Sequence, residues 1–193
     1  MIKKFGIIGK PIKHSLSPVL HNYWFEKYEI NASYSIIDVN EDNLKDVVSK
    51  IKDKTLSGLN ITLPYKQRIV PHLDYLVNDA KITSSVNTLY LDDKNNTVGE
   101  NTDVFGLQAA YLKEVDKASE KKALVIGAGG VSPSVILSLE KSGVKNISII
   151  NRTYEKCVFL KKKFVNIKII KWEKLEEAIK DYDIIINATS LGL

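Results

Sequence analysis

The stretch Ala123-Leu124-Val125-Ile126-Gly127-Ala128-Gly129-Gly130-Val131-Ser132-Pro133 decides the architecture. An apolar run of strand length meets a glycine-rich turn, and Pro133 then stands where the first turn of a helix tolerates a missing N–H. This predicts a strand over 123–126, a tight turn, and a helix from about Val131 to Ser142. Glycines at such a junction let the backbone approach a pyrophosphate at the positive end of the helix, as in dinucleotide-binding units. Ser132 replaces the third glycine of the usual fingerprint, so the turn taken alone also fits a junction without a ligand.

Downstream, strand-like runs at Ile147–Ile150, Ile167–Ile170 and Asp183–Asn187 alternate with helical patterns, the order of one doubly wound half. The second of these strands ends in Asn151-Arg152-Thr153, where NAD enzymes usually carry an acid for the ribose 2′-OH. A guanidinium pairs with a 2′-phosphate that an acid would repel, so NADP is favoured over NAD. Arg152 alone also reads as a surface cation near a helix start. Lys161-Lys162-Lys163 reads as a solvated helix face.

Upstream, the alternation of strands and helices continues, which indicates an α/β protein with mainly parallel strands. Phe5–Ile8 is the first strand, and Ser17-Pro18 reads as an N-cap followed by a first-turn proline, with Val19, Leu20, Tyr23 and Trp24 as the apolar face of the helix. Tyr34–Val39 reads as a strand. Leu44, Val47, Val48 and Ile51 share one helical face, with Asn40 available as a cap. Leu59–Leu63 is a strand ended by Pro64, Val86–Leu91 and Thr97–Glu100 form a hairpin, and a helix runs from about Asp103 to Val115. The domain change falls between Thr102 and Lys122, giving an α/β domain over 1–103 and a Rossmann-like, doubly wound domain over 104–193.

Composition narrows the function classes. With 193 residues, 44% hydrophobic and 26% charged, the chain is long enough for one large or two small cores and is neither disordered nor fibrous. Its net charge of +5 suits anionic small molecules, but no basic cluster interleaved with aromatics points to nucleic acid. One cysteine, Cys157, excludes an internal disulfide, and His14, His21 and His72 stand too far apart in sequence to suggest a metal site. No apolar stretch is long enough to span a bilayer and the N-terminus lacks a secretory pattern, so the chain reads as cytoplasmic.

The first block also carries polar residues in apolar settings. Ser15 and Ser17 lie between a strand and a helix N-terminus, a place suited to a carboxylate. Asn60 and Thr62 share one side of a strand whose other side is Ile61 and Leu63. Lys66, just past that strand, and Asp103 read either as a surface pair of little energetic value or as a proton donor with an orienting carboxylate. Sequence spacing does not decide whether they meet.

Taken together, GKPIKHSLSPVLHN (9–22), NITLPYK (60–66), SVNT (85–88), GENTDVFG (99–106), VIGAGG (125–130), NRT (151–153) and INATSLG (186–192) resemble the shikimate dehydrogenase family. The resemblance implies an N-terminal substrate domain followed by a partial Rossmann-like domain. It also implies an oxidoreductase that interconverts 3-dehydroshikimate and shikimate with NADPH in chorismate and aromatic amino-acid biosynthesis. It assigns the substrate carboxylate to Ser15 and Ser17, ring hydroxyls to Asn60, Thr62, Asn87 and Asp103, and proton transfer to Lys66, with Asp103 beside it in catalysis. Gly127, Ala128, Gly129, Gly130 and Val131 are assigned to the cofactor diphosphate. Asn151, Arg152, Thr153 and Lys156 go to the ribose and its 2′-phosphate, and Thr189 to the neighbourhood of the nicotinamide.

Two departures from the family stand out. Ser84-Ser85 replaces the usual Gly-Ala before Val86-Asn87-Thr88, and family members continue well past the INATSLG motif. From the second departure we expect a C-terminally incomplete cofactor domain and weak or absent turnover by this chain alone. Two alternatives follow: an NAD-using quinate/shikimate dehydrogenase, and a catalytically silent, truncated paralogue that keeps the shikimate pocket. A homodimer is compatible with either; a nucleic-acid partner, a membrane and a bound metal are not expected.

Overall fold

The computed structural model describes residues 2–191, which form two compact units, one ending at Asn101 and the next beginning at Thr102. The first unit contains β1 (Lys3–Ile8), α1 (Ser17–Lys27), β2 (Ala32–Ile36), α2 (Leu44–Lys52), β3 (Gly58–Ile61), α3 (Tyr65–Arg68), β4 (Tyr75–Leu76), α4 (Asn78–Thr83), β5 (Thr88–Leu91) and β6 (Thr97–Glu100). Its strands form one sheet in the order β2-β1-β3-β5-β6-β4. The strands β2, β1 and β3 run parallel, as the βα alternation requires, while β5 and β6 form the expected antiparallel hairpin. The two-residue β4, with no period of its own to read, pairs parallel to β6 at the far edge.

Helix α2 forms as its spacing predicts. Leu44, Val47, Val48 and Ile51 are all buried with Leu59, Ile61 and Leu89 in one core, where each contributes about 2 kcal/mol of apolar burial. Asn40 does not cap this segment: its carboxamide oxygen instead accepts from Lys10 Nζ at 2.8 Å, and the chain enters through a short 3₁₀ turn at Glu41–Asn43.

Helix α1 departs further from expectation. The Ser17 side chain makes no capping bond; Ser17 already lies in the helix, and its N–H donates to the hydroxyl of Ser15 at 3.3 Å. The face made by Val19, Leu20, Tyr23 and Trp24 is exposed, and no residue of the helix is fully buried. The inward face carries Phe25, whose ring lies 5.7 Å from Phe5, and His21, which stacks flat on Tyr34 at 4.3 Å. The phase has an edge-strand cause. On one side β2 has no strand neighbour among the described residues, and Asn22 closes both backbone groups of Tyr34 there, donating to its C=O at 2.8 Å and accepting from its N–H at 2.9 Å.

The second unit contains α5 (Asp103–Ala110), β7 (Lys122–Ile126), α6 (Ser132–Lys141), β8 (Asn146–Ile150), α7 (Tyr154–Lys163), β9 (Lys168–Ile170), α8 (Leu175–Ala178) and β10 (Ile184–Asn187). Among the described residues its four strands are all parallel, in the order β10-β7-β8-β9. The chain therefore winds from β7 to β9 in one direction and returns to the other side of β7, which makes the gap between β7 and β10 a topological switch point. The α5 helix is shorter than expected, because Tyr111 leaves helical geometry and a 3₁₀ turn follows at Leu112–Glu114. It packs on α6, where the Ser138 hydroxyl lies 3.0 Å from the Val104 carbonyl, so Asp103 travels with the second unit. On α7, Lys161, Lys162 and Lys163 are exposed, whereas Cys157 is fully buried and its thiol is pushed up by that burial.

Candidate active site

The first unit brings the polar residues of three motifs onto one face of its sheet. Asn60 on β3 projects opposite to Leu59 and Ile61, which enter the α2 core. Its carboxamide oxygen accepts from the Tyr34 hydroxyl at 2.7 Å, and its amide donates to the Asn87 carbonyl at 3.1 Å and towards the Thr88 hydroxyl at 3.3 Å. Thr88 in turn donates to the Asn87 side-chain oxygen at 3.0 Å. Burial pushes the Tyr34 hydroxyl up to about 12, opposed by a hydrogen bond from Ser17, so the phenol stays protonated as a donor at neutral pH. Ser17, Tyr34, Asn60, Asn87 and Thr88 thus form one chain of hydrogen bonds.

Tyr34 is not among the sequence candidates. The signal available is an aromatic hydroxyl on a strand of the same sheet as Asn60, which alternation alone does not distinguish from a core residue. A cleft of about 130 Å³ opens beside it, bordered by Tyr34, Asn60, Thr88 and Tyr90.

Thr62 and the loop after β1 are held close together. The Lys10 N–H donates to the Leu63 carbonyl at 2.8 Å, and a Cβ on Gly9 would come within 2.4 Å of Thr62 Cγ2, so only glycine lets the two segments pass. Lys66 sits half-buried on α3, and its carbonyl accepts from the Val86 N–H at 2.8 Å, which sets it beside the segment carrying Asn87. Ser15, Ser17, Asn60, Thr62, Lys66 and Asn87 all belong to the first unit, while Asp103 is the first residue of α5 in the second.

In the second unit the glycine turn sits at the switch point. Gly127 has φ of 110°, and a Cβ there would lie 2.9 Å from the Ala188 carbonyl and from Thr189 Cγ2. Glycine at 127 is therefore what brings the end of β7 against the end of β10. Ser132, which replaces the third glycine, is fully buried; its hydroxyl accepts from the Gly129 N–H at 2.9 Å and donates to the Gly127 carbonyl at 3.0 Å. The turn is thus closed by a side chain where the usual fingerprint relies on close packing.

Asn151 links this turn to the next loop, accepting from the Ala128 N–H at 3.1 Å and donating to the Thr153 carbonyl at 2.9 Å. Arg152 and Lys156 are exposed and have no hydrogen-bonded or ionic side-chain partner among the described residues. Both lie at the start of α7, where the helix macrodipole is unfavourable to cations. The first turn of α7 also carries Glu155, between the two cations in sequence. Thr189 is fixed by a turn after β10, its N–H and hydroxyl both reaching the Asn187 side-chain oxygen, at 3.0 and 2.7 Å.

The two-unit α/β fold, with a glycine turn at a switch point and unpaired cations after the next strand, defines a protein of the dinucleotide-dependent dehydrogenase class. Comparison with known proteins narrows this. The shikimate dehydrogenase substrate binding domain matches residues 7–89, and the shikimate / quinate 5-dehydrogenase family matches residues 110–192. The shikimate dehydrogenase (NADP(+)) of Pelagibacter ubique is 48% identical over 193 residues, covering 100% of this chain and 71% of the relative. The crystal structure of Aquifex aeolicus shikimate dehydrogenase superposes with a TM-score of 0.90 at 37% identity, covering 99% of this chain and 70% of that one. That of Thermus thermophilus shikimate 5-dehydrogenase, solved with NADP(H) and shikimate, gives 0.83 at 30% identity, covering 97% and 69%. The chain belongs to the shikimate dehydrogenase family.

Proposed function

We propose that this protein is an NADP-dependent shikimate dehydrogenase, reversibly reducing 3-dehydroshikimate to shikimate. The observation that carries the reading is the glycine turn at the β7/β10 switch point, followed by two unpartnered cations at the start of α7. The turn residues Gly127 to Val131 fit a diphosphate at the N-terminus of α6. Arg152 and Lys156 fit a 2′-phosphate, and this disfavours the NAD-using alternative. When bound, the cofactor supplies the hydride for the substrate's ring carbonyl.

The rest of the chemistry falls to the protein's own residues. Ser15 and Ser17, at the start of α1, would hold the substrate carboxylate. The ring hydroxyls would be met by Asn60, Thr62, Asn87 and Asp103. Because both Asn60 amide protons are directed at Asn87 and Thr88, Asn60 can meet a ring hydroxyl only by accepting through the second lone pair of its oxygen. Lys66 would give a proton to the ketone oxygen as it becomes a hydroxyl, and take it back in the reverse direction. Thr189, beside Gly127, would border the nicotinamide. Among the described residues no helix is long and apolar enough to cross a membrane; a cytoplasmic setting is our reading, supported by a single unpaired, buried thiol.

The deciding experiment is NADPH oxidation with 3-dehydroshikimate in a full-length context, with and without Lys66→Ala. We expect kcat to fall by roughly two decades or more in the variant, with a smaller change in substrate affinity. A kcat within a few-fold of wild type would remove Lys66 from the chemistry.

A further inference from the structure

We propose that the second unit carries an anion site for a small phosphate-type oxyanion at the end of its sheet opposite the glycine turn. A cleft of about 220 Å³ opens there, bordered by Lys122, Lys145 and Lys168, by Asp181, and by Ser148 and Tyr182. Lys122 begins β7 and Lys168 begins β9, while Lys145 directly precedes β8, so parallel strands deliver three ammonium groups to one end of the sheet. The glycine turn begins one residue past the other end of β7, about 17 Å away at the rise of an extended strand.

Two features of this cleft call for a ligand. The first is charge. None of the three lysines is paired with a carboxylate within 4.0 Å among the described residues, Asp181 included. The nearby Asp183 is already engaged, accepting from the Lys122 N–H at 2.8 Å and pairing with Lys121 at 3.6 Å. Together with Asp181 the cleft is left with two net positive charges.

The second feature is a hydroxyl pair at the cleft wall. Tyr182 donates to the Ser148 oxygen at 2.7 Å, and Ser148 is only 4% exposed. Two hydroxyls own two protons, and the bond between them uses one. The other remains to donate from the cleft wall, which Ser148 and Tyr182 both line. Adjacent ammonium groups and an unspent O–H donor are the complement of an oxyanion, and the cleft suits a single phosphoryl group better than a whole nucleotide. This site owes nothing to the residues assigned to substrate or cofactor, so it stands or falls independently of the proposed activity.

The test is a titration of the whole protein with inorganic phosphate at constant ionic strength, followed by amide chemical shifts. Saturable shifts are expected at Lys122, Ser148 and Lys168, with the amides of Gly127 to Val131 reporting any separate binding at the glycine turn in the same spectra. The Lys145→Ala/Lys168→Ala variant should weaken binding at the former set roughly tenfold, and Ser148→Ala about threefold. The proposal is overturned by shifts confined to the glycine turn, by equal shifts with chloride alone, or by unchanged affinity in either variant.

Discussion

Replacing Gly127 with alanine tests the packing of the switch point directly. At φ of 110° a side chain is disfavoured by about 1–3 kcal/mol, because this region is essentially restricted to glycine. The new Cβ would also lie 2.9 Å from the carbonyl carbon and oxygen of Ala188, which are backbone atoms and cannot rotate away. Relieving such an overlap costs about another 1–3 kcal/mol. The combined loss, about 2–6 kcal/mol with a midpoint of about 4, falls on the contact between the ends of β7 and β10. Amide hydrogen exchange followed by mass spectrometry reads this locally. Protection across Ala123–Ile126 and Ile184–Asn187 should drop by roughly two to three decades, since each 1.4 kcal/mol is about tenfold. The strands β1 and β3 of the first unit serve as the internal control and should be unchanged. Equal protection in the variant, with NADPH affinity retained, would refute the argument that glycine is required for this approach.

Three further outcomes are expected. Arg152→Ala should weaken NADPH binding by about 2 kcal/mol, the worth of a charge-assisted contact, and leave NADH almost unaffected; calorimetry giving equal losses would assign Arg152 a purely structural role. Tyr34→Phe removes the donor to Asn60 and should cost about 1 kcal/mol in urea unfolding of the first unit together with some shikimate affinity, whereas unchanged values for both would show that the network does not orient Asn60. Asp74 is held at about 2, chiefly by the Thr97 backbone N–H and then by Lys52 and the Thr97 hydroxyl. A lowered carboxyl contributes stability that is complete above its ordinary value of 3.8 and is lost as pH falls through about 2, so acid unfolding should be shallower in that window for Asp74→Asn.

The elements that could be read from sequence were those whose local pattern and tertiary role coincide. The α2 spacing and the Ala123–Pro133 stretch each specify both an element and the surface it packs on, and both appear as read. Helix α1 was legible as a helix but not in phase. Its most apolar stripe points outward, because the unpaired edge of β2 is satisfied by Asn22 and the ring of Tyr34 by His21. No periodicity encodes a demand made by another strand.

The same limit applies to the candidate site. The type of Asn60 and its side of the strand were evident from alternation, whereas its partner Tyr34 was not, because the two are 26 residues apart and meet only through sheet order. Ser132 looked like a departure from the glycine fingerprint; the structure gives it a bridging role that needs the folded turn to be seen.

Cys157 has a practical consequence for following this protein in solution. It is the one cysteine of the chain, it is fully buried on α7, and its thiol is shifted towards the neutral, unreactive form. Maleimide dyes should therefore pass it by under native conditions. A cysteine introduced on the exposed surface of each unit would give two attachment points without removing the native thiol. Fluorescence energy transfer between such dyes could then follow the separation of the two units as substrate and cofactor are added.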